Sequence, residues 1–295
     1  VLEDLSTEKS NPKTMSLDEM STSEILSEMN TEDALISRVV GSQLRTIKKV
    51  VDDIVYSLNN SGRLVYIGAG TSGRLGVLDA VECEPTFGAG ESEIIALIAG
   101  GPQAMFHAQE GAEDSEALGR EDLKKINLTE MDTVVGITAS GRTPYVIGAI
   151  NYAKEINASL AGITCNRNTE IAKITQNCVE LNVGPEILTG STRLKAGSAQ
   201  KMVLNMLSTV SMIKVGKVYG NLMVDLHATN EKLIDRAIRI IKDTTGVSSS
   251  VALSELKKAN GSTKVAIVAL LRDISPTRAR ELIEKNGGFI RGIVR

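Results

Sequence analysis

The chain has 295 residues, 42% of them hydrophobic and 23% charged, with a formal net charge of -3; that is enough to bury one good-sized core and a small appended unit. There is no dense Lys/Arg run, no apolar stretch long enough to span a bilayer and no apolar leader core in the polar start VLEDLSTEKSNPKTMS, so neither nucleic acid nor a membrane is expected as a partner and a cytoplasmic protein is. Three cysteines (Cys83, Cys165, Cys178) form no C-x-x-C and leave an odd one after pairing, and only two histidines (His107, His227) are present, so any acid or base is expected to be a carboxylate and no metal site is expected.

The stretch SEILSEMNTEDALISRVVGSQLRTIKKVVDDIVYSLNN sets Leu35, Val39, Ile47, Val50, Ile54 and Leu58 at helical spacing. It predicts leading helices, residues 1–55, that pack on a core and close at Asn60-Ser61-Gly62. Five short β-branched runs follow: RLVYIG, EIIALIAG, TVVGITA, SLAGITC and CVELNV. Each is apolar on both faces, as strands of a covered parallel sheet are. Helical stretches such as GRLGVLDAVEC, GAEDSEALGREDLKKI and TPYVIGAINYAKEI lie between them. The alternation predicts right-handed βαβ units and an α/β fold, a doubly wound five-stranded parallel sheet over residues 56–230. STRLKAGSAQKMVLNMLSTVSMIKVGKVYG reads as one helix with Ser191 or Thr192 as N-cap, its Met and Leu residues serving core or dimer packing. Residues 231–295 turn purely helical, punctuated by Ser and Gly, and predict a compact domain of three or four helices.

Two loops carry the chemistry. Gly68-Ala69-Gly70-Thr71-Ser72-Gly73 has the spacing of a dinucleotide-binding turn, but such a site also needs an acid at the end of the second strand, ~20 residues on. That strand ends in Ala99-Gly100-Gly101, so the loop is not expected to hold NAD. A second loop of similar build, Ser140-Gly141-Arg142-Thr143, follows another strand and opens another helix. Glycine allows close backbone approach, hydroxyls donate hydrogen bonds, and a helix start adds free N–H groups with positive partial charge. The combination suits a phosphate monoester, with Thr71, Ser72, Ser140 and Thr143 and the amides of Gly141 and Arg142 as candidate contacts. For the Arg142 side chain a surface role stays open.

These residues carry a family resemblance. ITASGRT, with GAGTS before it, is similar to the sugar isomerase (SIS) domain, which binds phosphosugars. YIGAGTSGRLGVLDAVECEPTFG, IAGGPQAMFHAQEGAED, GITASGRTPYVIGAINYAK and GPEILTGSTRLKAGSAQKMVLNMLST together resemble the N-acetylmuramic acid 6-phosphate etherases, and the similarity extends through NLMVDLHATN to GGFIR. The resemblance implies cleavage of the D-lactyl ether of N-acetylmuramic acid 6-phosphate to N-acetylglucosamine 6-phosphate and D-lactate, in cell-wall recycling. It implies no cofactor, and a homodimer. One departure is visible: the family pattern is ECPPT, whereas Glu84 follows the cysteine here.

Breaking that ether requires a base to take the proton on C2, acidified by the open-chain aldehyde, and an acid to protonate the leaving lactate oxygen. The resemblance carries these roles onto Glu82 and Glu113. Pro85 is expected to end the helix at Glu82, where the negative pole helps a carboxyl hold its proton; Glu113, after Gly111, is expected at a helix start, where the carboxylate is favoured. Glu82 is thus the expected acid and Glu113 the expected base. Glu186 is a candidate third carboxylate, a dimer contact or a cap, and Lys195 lies near the substrate or is a solvated helix lysine. His107 and His227 are expected to be structural. Two other functions share the scaffold, a phosphosugar sensor such as glucokinase regulatory protein and an aldose–ketose isomerase. The presence of both glutamates and the absence of a basic helix-turn-helix unit favour the lyase.

Overall fold

The computed structural model describes residues 5–90, 93–226 and 231–294; His227 lies outside them. Three helices lead: α1 (Thr22–Asp33), α2 (Ile36–Gly41) and α3 (Leu44–Asn59). Ser21 and Glu24 close a capping box at the start of α1. On α3 the buried residues Ile47, Val50, Val51 and Ile54 recur every three or four positions, so one stripe faces the core.

The sheet is built from β1 (Leu64–Gly68), β2 (Ile94–Ile98), β3 (Thr133–Ile137), β4 (Ser159–Thr164) and β5 (Asn177–Glu180). The strands run in the order β2-β1-β3-β4-β5, all parallel. Their partner helices are α4 (Gly70–Phe87), α5 (Glu116–Lys125), α6 (Pro144–Glu155) and the short α7 (Glu170–Ile174), and α8 (Lys195–Lys214) follows the sheet. Alternation along β1 divides the two faces. Val65 and Ile67 share a core with Tyr145, Val146 and Ile150 of α6 and Leu123 of α5. Tyr66 points the other way, where its hydroxyl donates to Asp79 of α4 at 3.0 Å. Helices therefore cover both faces, as the continuous apolar strands predicted.

Register places the site. Gly68 pairs with both Ile98 and Ile137, so β1, β2 and β3 finish in one row. The chain leaves β1 toward β2 and returns to β3 on the other side of β1, which makes the β1/β3 edge the point where the strand order reverses. In open α/β sheets ligands bind outside the carboxyl ends of strands at such a point.

The chain divides into two compact units, Val1–Ala80 with Glu93–Ser208, and Val81–Ser92 with Thr209–Arg295. In the second, a hairpin of β6 (Val218–Tyr219) and β7 (Leu222–Met223) precedes α9 (Glu231–Thr245), α10 (Ser249–Lys258), α11 (Thr263–Arg272) and α12 (Pro276–Lys285). Ala237, Ile241, Ala252, Ala266 and Ile267 form its core. Among the described residues no helix is long and apolar enough to cross a membrane.

The long helix differs from expectation at both ends. Residues 191–194 form turns, so neither Ser191 nor Thr192 caps α8. The helix stops at Lys214, because Gly216 takes a left-handed φ of +83° and the chain turns into the hairpin.

Candidate active site

At the carboxyl ends of β1 and β3 lies a cleft of about 610 Å³, lined by Gly70, Thr71 and Ser72 of α4, by Thr138–Ala139–Ser140 and Arg142–Thr143–Pro144, and by Glu8, Glu113, Asp114 and Thr192. Each wall has a local cause. On the first, a Cβ built on Gly73 would stand 2.6 Å from the Gly68 carbonyl oxygen; only glycine lets α4 start directly on the strand end. The first N–H groups of α4 have no partner within the helix and belong to residues that line the cleft. On the second, Gly141 has φ +73° and a built Cβ would lie 2.3 Å from Cβ of Thr169. Pro144 then occupies the first turn of α6, where its missing N–H and fixed φ cost nothing.

The hydroxyls of the second wall form one network. Thr138 Oγ1 is bonded to Thr143 Oγ1 at 2.8 Å and Ser140 Oγ at 3.3 Å, and it accepts the Gly141 N–H at 3.2 Å. The Arg142 N–H reaches Ser140 Oγ at 3.4 Å. Both amides expected at the phosphate thus have internal acceptors, and the three hydroxyls face the cleft. The Arg142 side chain is exposed on its rim. On the first wall Ser72 donates to Gln200 Oε1 at 2.9 Å.

Glu113 is exposed and lines the cleft, but not as the first residue of a helix. Gly111, at φ +75°, starts a single 3-10 turn, Ala112–Asp114, and α5 begins only at Glu116. Ser115 is the cap, its Oγ accepting the Leu118 N–H at 3.2 Å. Glu82 also differs from expectation: α4 continues past Pro85 to Phe87. Proline removes only the donor to Val81, while Thr86 Oγ1 donates to the Glu82 carbonyl and the Gly88 N–H to that of Glu84, each at 2.8 Å. Glu82 is exposed; it belongs to the second compact unit, whereas the residues that line the cleft belong to the first. Glu84 is exposed beside it.

Comparison with known proteins decides the family. Residues 46–154 match the description of the glucokinase regulatory protein N-terminal SIS domain, and residues 220–267 that of the C-terminal lid domain of glucokinase regulatory protein. N-acetylmuramic acid 6-phosphate etherases of Bacillus cereus (strain AH187) and Bacillus anthracis are 56% and 55% identical over 99% of this chain and 99% of their own length. The chain belongs to the N-acetylmuramic acid 6-phosphate etherase family. The phosphoheptose isomerase of Francisella tularensis matches 66% of this chain and 100% of its own at 12% identity, with a TM-score of 0.53, a likeness of fold alone.

Within this family member Glu186 and Lys195 stand apart from the cleft. Glu186 is fully buried and its carboxylate accepts the Lys195 and Ala196 N–H groups at 3.0 and 2.9 Å. It caps α8 from a distance in place of Ser191 or Thr192. Burial raises its pKa, opposed by the two amides. Lys195 is buried and forms an ion pair with Glu32 of α1. His107, expected to be hydrogen-bonded, is exposed after a surface 3-10 turn, and its imidazole has no bond among the described residues.

Several cleft residues escaped the sequence reading. Glu8 arrives because Asn166 accepts from Ser6 and Thr7 N–H groups, at 2.7 and 3.4 Å, and donates to Thr7 Oγ1 at 3.0 Å. Partners 160 positions apart leave no local signal. Thr138 and Asp114 were closer to hand, one beside Ser140 and the other beside Glu113.

Proposed function

We propose that this chain is a carbon–oxygen lyase that cleaves the D-lactyl ether of N-acetylmuramic acid 6-phosphate, giving N-acetylglucosamine 6-phosphate and D-lactate. The reading is carried by one juxtaposition: in a chain 56% identical to such etherases, a hydroxyl-lined cleft at two helix starts has a free-standing carboxylate, Glu113, on its wall. The 6-phosphate sits against Thr71 and Ser72 on one side and Ser140 and Thr143 on the other. Hydroxyls that bond one another in the free protein can turn toward phosphate oxygens at little cost, since each bond lost is replaced by one to a charged acceptor.

With the sugar open, Glu113 removes the C2 proton, and the electron pair left on carbon expels the lactate oxygen from C3. Glu82 gives that oxygen its proton. Water then adds to C3 of the unsaturated sugar while a proton returns to C2. The chain acts as a homodimer, as its resemblance to the family implies. Leu78 and Val81, three residues apart on α4 and 44% and 62% exposed, give that helix an apolar face for such a homodimer. A cytoplasmic location, in amino-sugar recycling from the cell wall, fits the substrate of that reaction.

Turnover in deuterium oxide and in heavy-oxygen water tests the sequence of steps. It should place deuterium on C2 and heavy oxygen on C3 of the sugar, and none in the lactate hydroxyl oxygen. Heavy oxygen in lactate would mean attack on the lactyl carbon and would refute the elimination.

A further inference from the structure

Gln200 is 1% exposed, on the second turn of α8, and it meets the phosphate-facing start of α4. The approach is set one turn earlier, where a Cβ built on Gly197 would lie 3.4 Å from Cγ2 of Thr71. Three residues on, along the same helix face, Gln200 Oε1 accepts the hydroxyl proton of Ser72, itself only 6% exposed, at 2.9 Å. The other half of the amide, Nε2, is buried with no hydrogen-bond partner among the described residues. An unpartnered buried donor beside a ligand-facing serine calls for an explanation.

We infer that Gln200 is a positioning residue that switches its amide when phosphate binds. A serine hydroxyl has a single proton and two acceptor sites. In the structure that proton is committed to Oε1. A phosphate monoester, largely a dianion at neutral pH, offers acceptors only, so Ser72 must withdraw its proton from Gln200 to bond the ligand. Oε1 would then face a hydroxyl oxygen with nothing between them. Rotation of the amide by half a turn brings Nε2 to Ser72, where it donates to Oγ and aims the hydroxyl proton at the phosphate. The buried donor gains its partner only in that state, and Oε1 takes the unpartnered position that Nε2 leaves. Asparagine is too short to keep this contact, a carboxylate could only accept, and an apolar side chain would leave Ser72 unaimed.

The inference rests on Ser72 as a phosphate contact, so the test separates the two ideas. Calorimetric titration of inorganic phosphate and of N-acetylglucosamine 6-phosphate is compared for the wild type, Ser72→Ala, Gln200→Met and the double variant. Ser72→Ala should weaken binding about tenfold, Gln200→Met should do nearly the same, and the double variant should bind no more weakly than Ser72→Ala alone. KM should rise with kcat changed less than about twofold. Losses that multiply in the double variant, or normal affinity in Gln200→Met, would overturn the switch and leave the cradle standing. Normal affinity in Ser72→Ala would overturn both. Amide spectra of wild-type protein labelled at glutamine nitrogen test the switch without any variant. One Gln200 Nε2 proton should move downfield when N-acetylglucosamine 6-phosphate saturates the site; an unmoved pair contradicts the inference.

Discussion

The two ends of the five-stranded sheet are built on opposite principles. At the amino ends of β1 and β3, Asp132 is 1% exposed and accepts from the Arg63 N–H, Nε and Nη2 at 2.8, 3.1 and 2.7 Å, and from the Thr129 N–H at 2.9 Å. Arg63 also donates Nη1 to the Ile126 carbonyl and its second Nη2 N–H to that of Asn127. At the carboxyl ends, glycines hold left-handed turns, hydroxyls bond one another, and a buried amide nitrogen has no partner among the described residues. Nearly every donor and acceptor of the first pair is bonded within the protein, whereas the second end keeps its hydroxyls on the wall of a cleft. The same strands thus carry a closed polar pair at one end and an open cleft at the other.

The sharpest way to break this contrast is to remove the cleft carboxylate. Glu113→Gln should lower D-lactate release by about a thousandfold and leave the melting temperature unchanged, because the side chain is exposed; calorimetry beside the assay checks both. A large loss of stability would show that the carboxyl-end loops are structural after all. At the other end, Asp132→Ala should cost about 3 kcal/mol in urea unfolding, because a mostly buried guanidinium loses its partner, while the affinity for inorganic phosphate stays at the wild-type value. An intermediate case is Gly141→Ala, which forces a side chain into a left-handed turn and against Thr169. It should cost about 2 kcal/mol and also weaken phosphate, so it reports on both properties together.

The smallest effect is in acid. Burial pulls the Asp132 pKa upward, but the bonds from Arg63 and the Thr129 amide outweigh it and hold the carboxyl below the ordinary carboxylate range. An acid whose folded value is depressed contributes stability that is fully present above its unfolded value, about 3.9, and lost as pH falls through the folded value. Unfolding free energy should therefore fall below about pH 4 more steeply in the wild type than in Asp132→Asn, with no difference in slope between neutral pH and about pH 5. Equal slopes would mean that the pair contributes nothing through ionisation.

What could be read from the sequence was local. Five β-branched runs and the helices between them announced the sheet, and both loops that line the cleft were visible because glycine, hydroxyl and helix start are neighbours in the chain. What escaped depends on partners far apart in the chain. Ser72 and Gln200 are 128 positions apart, Lys195 and Glu32 are 163, and no pattern near either predicts the meeting. The start of α8 was misplaced for another reason: its cap is the carboxylate of Glu186, nine residues before Lys195, and not a residue next to the helix start. Pro85 misled in a different way: one missing N–H is a weak barrier when the residues after it can still close the turn. Glu82 consequently lies inside α4, and the dipole argument for its proton loses force.

The most direct test of the account is D-lactate release from N-acetylmuramic acid 6-phosphate, beside the unphosphorylated sugar and a sample held in EDTA. Release should be rapid, need the 6-phosphate and be untouched by the chelator. Equal release from the unphosphorylated sugar, or none from the phosphate with binding intact, would contradict it.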